Sequence, residues 1–260
     1  SAQDSLWAAL SRAVRTPSRG ERASTVFVNP PTLLPIPPFF IPPVATVGTP
    51  DIAAEKLVAL DVGWRRQWSP TLTSEVAAFY YHHTDLRGGI PGTTPLFDAA
   101  FNPYIPMYIT NATGADSYGL EVSADWLPLT NWRLQANASL FEIKERNPKP
   151  GATPDEFIGA TPGHQISFRS SLDISSQLQW DVWLRRIGKL SGGPNTPGDE
   201  VTAYTSLDMR LGWKPQRDLE ISLVGQNLLN SSHQEIVITT MRSAPIKIER
   251  GVYLKADWKF

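Results

Sequence analysis

Hydrophobic and polar positions alternate cleanly in the last ten residues. Val252, Leu254, Ala256, Trp258 and Phe260 fall on one side, and Gly251, Tyr253, Lys255, Asp257 and Lys259 on the other. Successive strand side chains point to opposite faces, so this segment predicts a strand with one greasy face and one charged face. Two architectures use such a strand. A soluble antiparallel sandwich turns the greasy face into a dry core, and a membrane barrel turns it out into lipid while the polar face lines a lumen.

The same period-two pattern recurs upstream and predicts strands over residues 5–15, 56–68, 72–82, 118–126, 132–141, 165–174, 178–185, 206–214, 219–226 and 251–260. In one of them Tyr118, Leu120, Val122, Ala124 and Trp126 oppose Gly119, Glu121, Ser123 and Asp125. The joints alternate in length. Ser69-Pro70, Leu127 to Asn131, Ser175-Ser176 and Pro215-Gln216 are tight. Between them lie a Pro-rich stretch of about forty residues after Arg15, a long passage through Phe97, Phe101 and Tyr108, a polar loop holding Asn147 to Gly151, a loop through Ser191 to Pro194, and a last long loop before residue 251.

About ten strands joined short, long, short, long are the plan of an outer-membrane barrel with tight periplasmic turns and extended outer loops, which puts both termini in the periplasm. Trp64, Trp68, Trp126, Trp132, Trp180 and Trp213 fall near strand ends, where amphipathic rings sit at headgroup level as interfacial girdles. Strand length, aromatic ends and the alternation of loop lengths favour the barrel over the sandwich. The predicted fold is an all-β, antiparallel transmembrane β-barrel.

Composition narrows the partners more than the fold. Lys+Arg 24 against Asp+Glu 25 gives a formal charge of -1, so no basic field draws the chain to nucleic acid. Cys is absent, which excludes disulfides, thiolate metal sites and thiol nucleophiles. No apolar run is long enough for a membrane-crossing helix, and the mean hydropathy of -0.22 is neutral because lumen residues dilute every apolar stretch. No signal-peptide pattern opens the chain at Ser1, so a leader is expected to have been removed or to lie upstream.

Several segments carry a family likeness. They are Ser11 to Ser18 (SRAVRTPS), Glu55-Lys56 leading to Leu60 to Trp64, and Asn111-Ala112 followed by Tyr118 to Glu121. The most specific is Leu207 to Trp213 running into Leu223 to Asn230 and His233, with the terminal Phe260. In order and spacing these pieces resemble the carboxy-terminal part of TonB-dependent outer-membrane receptors. The resemblance implies a Gram-negative outer-membrane location and a barrel of about twenty-two strands around an amino-terminal plug. It also implies an inner-membrane TonB complex that acts through the plug, and a scarce bulky solute as cargo, above all an iron–siderophore complex. On that basis residues 1–260 are expected to be a carboxy-terminal portion of the barrel with the plug absent. The expected partners are outer-membrane lipid, the missing amino-terminal strands and plug, the TonB complex and an iron–siderophore-type ligand. A half-barrel has two open edges, which lipid does not tolerate. Closure on itself as a ten-stranded barrel is the simplest remedy, and oligomerisation the next.

Candidate site residues form two groups. Arg169, Asp173, Asp181, Arg185, Asp208, Arg210 and Glu220 line the lumen if the facing is right, where they either pair across strands or meet a ligand. In the outer loops Phe39, Phe40, Phe97, Phe101, Tyr104 and Tyr108 either form an aromatic cup for a planar iron chelate or pack the loops together. His82-His83-Thr84-Asp85 is the densest run of metal-ligand types, but adjacent strand residues face opposite ways and do not easily share one ion. His164 and His233 are isolated. No phosphate loop and no nucleophile elbow is present, so no cofactor, metal or catalytic residue is expected. The rival reading is a self-contained ten-stranded outer-membrane enzyme of the omptin protease kind, with His82, His83 and Asp85 at its mouth.

Overall fold

The computed structural model describes residues 3–27, 42–153, 160–191, 200–236 and 246–260. The chain runs β1 (Asp4–Arg15), the short helix α1 (Arg19–Ala23), β2 (Thr25–Phe27), β3 (Val44–Val47), β4 (Glu55–Ser69), β5 (Leu72–Pro91), β6 (Leu96–Phe97) and β7 (Pro103–Leu129). It continues through β8 (Trp132–Arg146), β9 (His164–Asp173), β10 (Leu178–Ile187), β11 (Tyr204–Gln216), β12 (Leu219–Gln226), β13 (Ser232–Gln234), β14 (Lys247–Glu249) and β15 (Gly251–Trp258). Ten of these form one wall, in the order β1-β4-β5-β7-β8-β9-β10-β11-β12-β15. Every neighbouring pair in the wall is antiparallel.

The register carries the period-two pattern from strand to strand. Leu10 lies opposite Leu60, Leu60 opposite Tyr80 and Tyr80 opposite Tyr118. Val76, Val122 and Ala138 continue a second row, and Trp180, Leu211, Leu223 and Leu254 a third. A slip of one residue anywhere would turn a whole strand inside out, so the agreement of all nine registers fixes the apolar residues on one face. That face is bare: Leu10 is 76% exposed and Leu254 73%. Among the described residues the largest fully buried side chains are Asn227, Pro106, Ser206 and Ser222, so no dry hydrophobic centre exists for a sandwich to pack around. A greasy outside with a polar inside is stable only where lipid covers the outside.

Three expectations change. First, β1 and β15 stand at the two ends of the wall, and no register joins them among the described residues, so the ten strands do not close on themselves. Second, β5 runs nine residues past His82 to Pro91, and β7 spans 27 residues from Pro103 where the sequence predicted a strand only from Tyr118. These extensions lie beyond the apolar belt, where neither face needs to be greasy and the alternation that reveals a strand disappears. Third, the stretch after Arg15 is not all loop. Ser18 caps α1, accepting from the Glu21 N–H while the Glu21 carboxylate accepts from Ser18 N, a capping box that holds a five-residue helix. The chain then adds β2 and β3. Strand β3 runs parallel to β7, with Val44 opposite Ile105 and Val47 opposite Tyr108. It takes the edge of β7 that β8 leaves free, since β8 ends at Arg146 opposite Gly114.

The indole rings also sort more sharply than predicted. Trp64, Trp68, Trp126, Trp132, Trp180, Trp213 and Trp258 share the outward face, and all lie toward the short turns. Trp7 and Trp183 face inward, opposite Gly63 and Asp208. The indoles are therefore one-sided, while the outward Tyr80 and Tyr118 lie toward the loops.

Candidate functional site

The inner face of the wall is a ladder of charges in register. Arg185 donates to Asp208 at 2.6 Å and lies 4.3 Å from the centre of the Trp183 ring. Arg210 meets Asp181 at 3.0 Å and also contacts Glu220, which takes Lys214 at 3.5 Å. Gln179 donates to Asp173 at 2.8 Å. Arg169 sits on the same face, opposite Gln135 on one side and Trp183 on the other. All seven inner-face candidates thus share the polar side, and six of them are hydrogen-bonded within it. Pairing across strands keeps these charges compensated in a partly dehydrated wall. Beside the ladder a groove of about 530 Å³ is lined by Glu75, Glu121, Asn137, Gln165, Trp183 and Arg185 among others. Such a surface offers both hydrogen-bonding groups and apolar side chains to a solute or to another polypeptide.

On the loop side, the aromatic candidates separate. Phe39 and Phe40 lie outside the described residues. Tyr104 is only 8% exposed and packs edge-on against Phe27, with ring centres 5.3 Å apart, so it glues β2 to β7. Phe97, Phe101 and Tyr108 are exposed, Phe101 most of all at 85%. Phe101 sits at φ +61, uncommon for a bulky residue. Its turn is pinned by Asp98, whose carboxylate accepts from the N–H groups of Ala100 and Asn102 and from the Asn102 side chain. Those bonds hold the Asp98 carboxyl below its ordinary range, the Asn102 side chain contributing most. The structure therefore brings three aromatic rings to the loop surface and takes the fourth into the packing.

The histidine run divides between the two faces. His82 places Nδ1 2.7 Å from Asp116 Oδ1, and its Nε2 accepts from Arg146 at 3.0 Å on the outward side. His83 points inward, with Nε2 3.2 Å from the hydroxyl of Ser117. Asp85 turns away to Lys56 at 2.8 Å. A hydrolytic centre needs nucleophile, base and orienting carboxylate in one chain of contacts. Here the imidazole with a carboxylate and the imidazole with a hydroxyl lie on opposite sides of the sheet, and Ser117 is buried. No group of three or more His, Asp or Glu side chains able to hold a metal ion occurs among the described residues.

Sequence reasoning missed a set of polar anchors at the loop side, several of which, Arg15, Glu55, Asn111, Asp208, Asn227 and Asn230, lie in the segments that carry the family likeness. Glu21, buried in α1, receives Arg15 from the end of β1 and Arg87 from β5, each at 2.8 Å. Glu55 accepts the Arg87 N–H at 2.8 Å and also holds Arg15. Asn111 accepts from Ala53 N at 2.7 Å and donates to Asp85 O at 2.6 Å. Asn227 donates its N–H to Asp208 and its side chain to Ile248 O at 3.1 Å, while Asn230 donates to Thr205 O at 2.6 Å. The signal was the Ser-x-x-Glu spacing at 18–21 and the Asn pair at 227 and 230, both marks of side chains that bind backbone.

Comparison with known proteins gives one consistent answer. A family model described as TonB dependent receptor-like, beta-barrel, matches residues 2–228. The pesticin receptor of Yersinia pestis is 22% identical over 221 residues, covering 81% of this chain and 30% of the relative, and that of Yersinia enterocolitica matches equally. Among solved structures, the ferric yersiniabactin uptake receptor FyuA of Yersinia pestis aligns over 100% of this chain and 35% of its own, with TM-score 0.67 and 17% identity. A variant of the ferric enterobactin receptor PfeA of Pseudomonas aeruginosa reaches TM-score 0.73 at 12% identity, covering 100% of this chain and 38% of its own. The copper transporter OprC gives TM-score 0.70 at 16% identity, over 99% of this chain and 38% of its own. The chain spans about a third of the length of the relatives it matches.

Proposed function

The chain belongs to the TonB-dependent receptor family as part of its β-barrel, and from that premise we propose that it forms the carboxy-terminal wall of a receptor that imports an iron–siderophore complex. The location follows from the family: the strands lie in the outer membrane of a Gram-negative cell. The observation that carries the reading is the register itself, which sets an unbroken greasy face against a charge-paired inner face across ten strands. The rest of the barrel and the plug belong to the same receptor and cover the open borders of β1 and β15. The TonB complex acts through the plug.

Relatives named for ferric yersiniabactin and ferric enterobactin support a bulky iron chelate as the cargo. The exposed rings of Phe97, Phe101 and Tyr108 are the surface proposed to meet it first. Planar aromatic chelates gain from such rings through stacking. The reading is of a receptor because the matched family and the solved relatives are named as receptors and transporters.

The test is uptake by cells that lack their own chelate receptors and carry either the full-length receptor or this segment alone. The full-length receptor supports growth on its iron chelate, and alanine at Phe97, Phe101 and Tyr108 weakens binding. Energised uptake by the segment alone would overturn the reading.

A further inference from the structure

Charge is spread unevenly along this chain, and it is scarcest in two stretches above the apolar belt. Residues 23–50 contain no Asp, Glu, Lys or Arg, and residues 88–115 contain Asp98 alone. Those two stretches supply the exposed rings of Phe27, Phe97, Phe101 and Tyr108, with Val26 beside them at 56% exposure. Where charge does occur above the belt, acid prevails. Residues 16–54 balance Arg19 and Arg22 against Glu21 and Asp51, and residues 84–115 set Arg87 against Asp85 and Asp98. Residues 147–163 set Lys149 against Asp155 and Glu156, and residues 188–203 set Lys189 against Asp199 and Glu200. Only residues 227–250 lean the other way, with Arg242, Lys247 and Arg250 over Glu235 and Glu249. Together the five outer stretches hold ten acids to eight bases. The inner face toward the loops adds no surplus of cations among the described residues. Arg15 lies between Glu21 and Glu55, and Arg185 donates to Asp208 at 2.6 Å. Asp61 meets the Tyr81 hydroxyl at 2.9 Å, and Glu145 Oε1 is buried with no hydrogen-bond partner among the described residues.

We propose that the mouth of this receptor selects an iron chelate of no net charge and turns away strongly anionic ones. The proposal rests on the reading of the chain as part of a siderophore receptor, and it narrows the class of cargo. Hydroxamate donors lose one proton each, so three of them cancel the charge of ferric iron. Catecholates lose two each, and three of them leave a trianion. A trianion brought against exposed aromatic rings gives up water and needs cations there to replace it. Arg87, which borders the second uncharged stretch, is already held by Glu21 at 2.8 Å. The excess of acid also slows the approach of an anion, since a field of like sign lowers the rate of encounter. An uncharged chelate escapes both penalties. It gains apolar contact and ring faces without surrendering the hydration of a formal charge.

The experiment measures binding to the full-length receptor by quenching of its intrinsic fluorescence, with three ferric probes. They are a linear tris-hydroxamate, the same tris-hydroxamate bearing added carboxylates, and a tris-catecholate. The uncharged hydroxamate binds about tenfold or more tightly than either anionic probe, and its affinity holds steady as salt rises, while the anionic probes improve as their repulsion is screened. Thr94 and Ala99 are exposed positions flanking Phe97. The variant Thr94→Lys/Ala99→Lys leaves every ring in place, strengthens the two anionic probes about tenfold and changes the uncharged one by less than about twofold. Equal binding of the three probes, or tighter binding of an anionic one, would overturn the proposal while leaving the receptor reading intact. Binding of none of them, by a receptor whose heat-modifiable gel mobility shows it folded, counts against the iron-chelate reading itself, and the proposal falls with it. Should the double variant not fold, the unaltered protein decides: affinity for the anionic probes that drops as salt rises marks a cationic mouth and is fatal to the idea.

Discussion

Asn227 gives its backbone N–H to Asp208 at 2.8 Å, and the same carboxylate holds Arg185 at 2.6 Å through its other oxygen. One side chain thus supports both a turn at φ +50 and a charge on the inner face. Asp208→Ala leaves an orphan N–H and an uncompensated guanidinium, and is expected to cost about 2–4 kcal/mol. Asp208→Asn keeps an acceptor without the charge and costs about half as much. Urea midpoints followed by heat-modifiable gel mobility read both; equal losses for the two variants would show that the charge is irrelevant.

The Trp7 indole lies flat over Gly63, so that a Cβ there would meet its ring atoms at 2.3–2.5 Å. Gly63→Ala is expected to destabilise by about 1–3 kcal/mol, and Trp7→Ala to relieve most of that penalty, giving a coupling of about 1 kcal/mol or more. Gly119 is the control. A Cβ there meets Leu140 O at 2.2 Å as well as the Phe79 ring, so Phe79→Ala does not rescue Gly119→Ala, because the carbonyl cannot move aside.

The Glu21 carboxyl is held well below the ordinary carboxylate range, first by the Arg15 guanidinium and further by Ser18 and Arg87, against the opposing effect of burial. A depressed folded value means that the anchor is at full strength above the unfolded value of about 4.3 and weakens only as pH falls below it toward the folded one. The amide of Thr49, which donates to Glu21 O at 3.0 Å, therefore exchanges at a rate set by the anchor. Glu21→Gln is expected to speed its exchange about tenfold at neutral pH and to flatten the acid dependence. An unchanged exchange profile would refute the anchor.

Phe101 and Tyr104 are three residues apart and predict opposite phenotypes. Phe101→Ala is expected to leave stability within about 0.5 kcal/mol of the unaltered protein while weakening chelate binding, because its ring touches solvent. Tyr104→Ala removes the contact with Phe27 and is expected to cost about 2–4 kcal/mol locally, read by protease cutting between β2 and β3. The reverse pattern would remove Phe101 from the binding surface.

Legibility followed the lipid. Where strands cross it, one face has to be greasy, and the sequence announced all ten with nearly correct ends: β8 from Trp132, β12 over Leu219–Gln226, β15 from Gly251. Above the belt that constraint lapses, and the upper halves of β5 and β7, with β2, β3 and β6, went unread. The inner-face residues were visible by alternation, but which carboxylate meets which cation depends on register, and register is a property of two strands at once. The aromatic loop residues were legible as a set and not as individuals, since nothing in Phe101 or Tyr104 alone tells which ring meets solvent and which meets Phe27.

Every wall strand from β4 to β12 pairs with the strand that precedes it in the wall order, and most of those partners are joined by a tight turn or a single loop. Such a sheet can zip up hairpin by hairpin as the chain arrives. The parallel meeting of Val44 to Val47 with Ile105 to Tyr108, like the pairing of β1 with β4, is not of that kind. It closes across two complete wall strands and has to wait until both stand, so contact between remote parts sets the pace there. The first outer segment thus settles only once β7 has arrived, so this part of the mouth matures after the wall strands beneath it.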